Sequence, residues 1–74
     1  MKFTKHYQTL ERLLGTAAKE LEGAIDSKAL KEALGYLEDG EYGLSYECLL
    51  AGLKKRGLPV PASLAKAAKK MDIS

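Results

Sequence analysis

The chain contains one cysteine, Cys48, and one histidine, His6, in 74 residues. A single cysteine closes no internal disulfide, which fits a reducing compartment. A single histidine, with no second histidine or cysteine at ligand spacing, gives no basis for a zinc site. No glycine-rich phosphate loop is present, and no serine–histidine pair with a third member. Ser63 and Lys66 match the Ser-x-x-Lys pattern by letter, but the companion motifs of that fold are missing and the chain is far too short for it. No stretch approaches the roughly 18 apolar residues of a membrane span. The start, Met1 to His6, lacks the apolar core of a signal peptide, so a cytoplasmic location is expected. No segment alternates like a strand between hairpin turns, and there is no internal repeat or low-complexity tract. These absences predict neither catalysis nor a metal or cofactor.

What remains is a well-mixed globular composition, 46% apolar and 30% charged. The length allows one domain, whose core supplies only about 3–5 kcal/mol. A scaffold of this size leaves little room for an elaborate catalytic cleft. The net charge of +2 hides a dipolar layout. Residues 11–47 hold nine acids against four bases, and residues 48–74 hold six bases against Asp72. The chain is therefore not uniformly basic, as many nucleic-acid binders are.

Helical periodicity runs through the whole chain. Phe3, Tyr7, Leu10, Leu14, Ala17 and Leu21 recur at spacings of four and three, with Leu13 widening the stripe. The phase continues past Gly15, which predicts one helix from about residue 4 to 22, with Thr4 as a candidate cap and Gly23 as the stop. Asp26 and Ser27 are both good caps for a second helix. Its inner face is Leu30, Ala33, Leu34 and Leu37. A third helix spans about 41–56 and ends at Gly57, with Lys54, Lys55 and Arg56 in the last turn, where the dipole favours cations. Leu58-Pro59-Val60-Pro61 is an extended connector. A fourth helix follows, with Leu64, Ala67, Ala68 and Met71 inside and Lys66, Lys69 and Lys70 outside. The expected fold is all-α, a single domain of about four short helices.

The third helix is the expected centre. At about 100° per residue, Tyr42, Tyr46, Leu49, Leu50 and Leu53 share one side. Leu44, Cys48 and Ala51 fall almost opposite, so neighbours are expected on both sides. Cys48 reads as a small core residue, since a reactive thiol needs a basic, exposed setting. Gly43 leaves room for a close approach by another backbone or by a partner.

The turn before that helix is acidic. Glu38 and Asp39 close the second helix against its dipole, and Gly40 follows as a left-handed cap. Asp39 is a candidate cap for the third helix, with Glu41 in its first turn. Glu38, Asp39, Glu41 and Glu47, with Tyr42 and Tyr46, make a candidate partner-binding set. They also fit an ordinary helix–helix turn with solvated acids, and the tyrosines fit a core rim as well as an interface, where tyrosine is enriched. The acids lack the glycine-bearing loop of alternating ligands that calcium needs. The basic tail offers a second functional reading, a small helical nucleic-acid-binding or regulatory protein, although no stacking aromatic or arginine-rich helix accompanies its lysines.

At Gly40-Glu41-Tyr42-Gly43-Leu44 followed by Glu47, the sequence resembles the MafI-type immunity proteins. Leu37-Glu38-Asp39, Leu49-Leu50, Leu53 and Leu58-Pro59-Val60 extend the likeness over roughly residues 30–73. Ser45 stands where the family commonly has alanine, and the first helix shows no distinctive match. The resemblance implies a small bacterial cytoplasmic inhibitor. It would bind and neutralise the C-terminal toxin domain of a contact-delivered protein, often a nuclease such as an EndoU-type RNase. An acidic, tyrosine-bearing surface suits a basic RNase cleft, because complementary charge speeds encounter and sets specificity.

Overall fold

The computed structural model describes the backbone of residues 4–71 and the side chains of residues 8–71. Phe3, Asp72 and the side chains of Thr4, the candidate cap, His6 and Tyr7 lie outside the described residues. Four helices follow in order: α1 (Thr4–Glu20), α2 (Ser27–Glu38), α3 (Tyr42–Arg56) and α4 (Ala62–Lys70). The fold is an all-α bundle, and no strand occurs among the described residues.

α1 runs through Gly15 without a break, as its apolar phase predicts. It ends at Glu20, two residues short of the expected stop, and the chain leaves through a turn in which Gly23 takes φ +81°. α2 and α3 end in the same way. After α2, Gly40 at φ +78° donates its N–H to the Leu37 carbonyl at 3.1 Å, and Glu41 donates to Tyr36 at 2.8 Å. After α3, Gly57 at φ +66° donates to Lys54 at 3.2 Å, and Leu58 donates to Leu53 at 2.9 Å. Both are Schellman stops, in which a left-handed residue turns the chain back onto the last free carbonyls of the helix. Between α3 and α4, residues 58–61 are non-helical, and Pro61, in extended conformation, is the α4 N-cap.

The molecule is built from two helix pairs. α2 packs mainly along α3, and α1 mainly along α4, while α1 and α3 each touch all three other helices. Leu14, Leu49, Leu53 and Leu64 are completely or almost completely buried, so α1, α3 and α4 supply the large core side chains. Each contributes about 1.5–3 kcal/mol relative to an exposed position. α2 contributes Ala33, and the small Ala67 and Ala68 bring α4 close to its neighbour.

The central position of α3 holds, but its second side is not covered. Its buried residues are Ser45, Leu49, Gly52 and Leu53, whereas Leu44 is 42% exposed and Ala51 is exposed. Three neighbouring helices fit within one broad arc of a helix, and no fifth element among the described residues caps the rest. Periodicity reports an apolar strip without reporting whether anything exists to cover it. Leu34, expected inside α2, is 40% exposed for the same reason.

The close approach also differs from expectation. Nothing lies within 4 Å of a Cβ built at Gly43. A Cβ at Gly52 would lie 3.1 Å from Ile25 Cδ1 and 3.2 Å from Ile25 Cβ. Gly52 is thus the glycine that lets the chain pass, and Ile25, in the α1–α2 connection, is a buried core residue that no helical pattern reveals.

Candidate partner-binding corner

The α2–α3 turn presents its acids to solvent. Glu38 is the last residue of α2 and Asp39 its C-cap, at φ −83° and ψ 0°. Glu41, not Asp39, occupies the N-cap of α3, at φ −87° and ψ 69°, and makes no side-chain cap bond. The Schellman geometry explains this correction. It commits the Glu41 N–H backward to α2, so the first residue able to start α3 is Tyr42. Glu38, Asp39 and Glu41 are all exposed. Three carboxylates therefore crowd a turn whose α2 end carries the negative pole of a helix dipole.

Tyr42 opens α3 and Tyr46 follows one turn later. Both are half-buried and pack against the hydrophobic core. That half-burial is the rim position, with part of each side chain left accessible. Glu47 is exposed but stands apart, about 100° around the helix from Tyr46. Its charge acts on another group. The Cys48 thiol is pushed above its ordinary value, first by burial and then by the carboxylates of Glu32 and Glu47. Cys48 is partly buried against the core, in a setting that disfavours thiolate. The corner thus gathers Glu38, Asp39, Glu41, Tyr42 and Tyr46 and leaves Glu47 on the neighbouring strip. Among the described residues, no group of three or more histidine, cysteine or acidic side chains is arranged to hold a metal ion.

At the far end of the α2–α3 pair, Asp26 accepts hydrogen bonds from Arg56 Nη2 at 2.7 Å and Lys55 Nζ at 3.1 Å. Asp26 occupies the α2 N-cap position, but its carboxylate makes no cap bond because it is turned to these two cations. The Arg56 hydrogen bond, followed by that of Lys55, holds the Asp26 carboxyl below its ordinary value. The helix dipole alone accounts for cations in the last turn of α3, so sequence reasoning missed this clamp. Its signal was present, because Asp26 and Lys55–Arg56 lie nearly equidistant from Gly40 and a hairpin folded there brings them together. Ser63, whose spacing to Lys66 mimics a catalytic pair, donates instead to Glu20 Oε1 at 2.8 Å and joins α4 to α1.

Two shallow grooves complete the surface. One, of ≈ 320 Å³, runs between α2 and α3, past Ala29, Glu32, Cys48 and Ala51. The other, of ≈ 390 Å³, lies between α1 and α4 and is lined by Thr9, Leu13, Lys66, Lys69 and Lys70. Among the described residues, no helix is long and apolar enough to cross a membrane. Compared with protein-family models, curated proteins and solved structures, the chain finds no match.

Proposed function

We propose that this protein acts by stoichiometric binding, as a cytoplasmic immunity-type inhibitor that neutralises a cognate toxin domain, with a nuclease as the favoured target. The observation that carries this reading is the α2–α3 corner, where three exposed carboxylates adjoin two half-buried tyrosines on one rigid turn. Such a surface combines the two parts of a specific interface. The acids steer a basic partner into place, and the tyrosines supply affinity once water is displaced. The likeness of roughly residues 30–73 to MafI-type proteins supports the same reading. A basic nucleic-acid cleft is the natural complement, since it is shaped and charged to hold phosphates.

The test is co-expression with the toxin domain encoded beside the gene. Protection of the host and co-purification, with dissociation constants of about nanomolar or tighter, are expected. Glu38→Lys is the informative variant. It removes an acid from the negative end of α2, so it should maintain or raise stability while slowing association. Loss of protection in a variant that is at least as stable separates binding from folding. Absence of both protection and co-purification in the wild type would end the proposal.

A further inference from the structure

The α1–α4 groove combines an apolar floor with charge of one sign. Leu13 and Thr9 form one wall and Lys66, Lys69 and Lys70 the other. Among the described residues no carboxylate lines it, and none of the three lysines is ion-paired with any of them. Lys66, Lys69 and Lys70 stand at i, i+3 and i+4, where like charges repel along a helix. The α4 dipole explains Lys69 and Lys70, which lie in the last turn, but not Lys66, which lies before it.

We infer that this groove is a docking site for an acidic peptide segment of a protein partner, in which one bulky apolar side chain is flanked by carboxylates. At ≈ 390 Å³ the groove is large enough for a bulky apolar side chain together with the backbone that carries it. The apolar side chain rests on Leu13, and the flanking carboxylates meet the lysines at the groove edge, where partial desolvation strengthens each pair. A nucleic acid fits the same lining less well. Phosphates gain nothing from an apolar lining, and no aromatic or arginine among the described residues lines the groove to stack bases. The site lies on α1 and α4, apart from the α2–α3 corner, and does not rest on the toxin reading.

The experiment titrates a fluorescein-labelled peptide, with one Leu between paired Glu residues, into the full-length protein at about 50 mM salt, where charge pairs are little screened. Anisotropy should rise with a micromolar dissociation constant. Replacing the Leu by Ser, or the Glu residues by Gln, should each weaken binding about tenfold. Lys66→Glu should do the same, whereas Lys54→Glu should leave binding unchanged. No binding overturns the inference. So does equal binding of the Ser peptide, which would reduce the groove to a charged surface. Tighter binding by an oligouridylate of equal charge that displaces the peptide would overturn it in favour of a nucleic-acid face.

Discussion

The Ser45 hydroxyl donates to the Ala33 carbonyl at 2.8 Å across the α2–α3 interface, and Ser45 is only 1% exposed. It is the buried polar residue of the core, and its one hydrogen bond ties the two helices that form the acidic corner. Ala33 lies mid-helix, where the amide four residues on is the ordinary donor to its carbonyl. The serine is therefore an additional donor rather than a necessary one. Ser45→Ala should cost about 1 kcal/mol or less, because the lost bond is partly offset by the better helix propensity of alanine. Ser45→Val should cost about 1–3 kcal/mol by overpacking a site with no free space. Urea midpoints for the pair report the difference.

Gly52 and Gly35 should respond oppositely to alanine. At Gly52 the new methyl meets Ile25 Cδ1 at 3.1 Å and the branched Ile25 Cβ at 3.2 Å, which cannot easily swing away. A loss of about 1–3 kcal/mol is expected. At Gly35, in the middle of α2, nothing lies within 4 Å, and alanine should gain about 0.5–1 kcal/mol from propensity and a less flexible unfolded chain. If Ile25→Ala partly rescues Gly52→Ala in a double-mutant cycle, the contact is confirmed as the cause.

Asp26 makes stability sensitive to acid. Its folded pKa lies below the ordinary value of 3.8 because Arg56 and Lys55 hydrogen-bond its charged form. A depressed carboxyl contributes stability that is fully present above that value and is lost as pH falls through the folded pKa. Wild type should therefore lose stability below about pH 4 more steeply than Asp26→Asn. The difference should shrink in high salt, because the clamp is exposed. Thermal melts from pH 2 to pH 6 at two salt concentrations measure it.

Cys48 should alkylate more slowly than an unstructured thiol at neutral pH, since burial, Glu32 and Glu47 all disfavour its thiolate. Glu32→Gln and Glu47→Gln should each increase the rate modestly, and unfolding should increase it most, because burial is the leading cause. Iodoacetamide labelling followed by mass spectrometry gives the rates.

Local features of the sequence were enough for the four helices, the left-handed stops at Gly23, Gly40 and Gly57, the non-helical Leu58–Pro61 connector and the acids of the α2–α3 turn. These follow from periodicity, dihedral preference and capping, which act within a few residues. Tertiary structure alone decided that Leu44 and Ala51 face solvent, that Ile25 fills the core against Gly52, that Asp26 serves Arg56 and Lys55 instead of its own helix, and that Leu13 and three lysines share a groove. Each of those outcomes depends on which surface another helix happens to reach. A side chain's own neighbours along the chain carry no record of that, because burial and pairing are set by the packing of the whole chain.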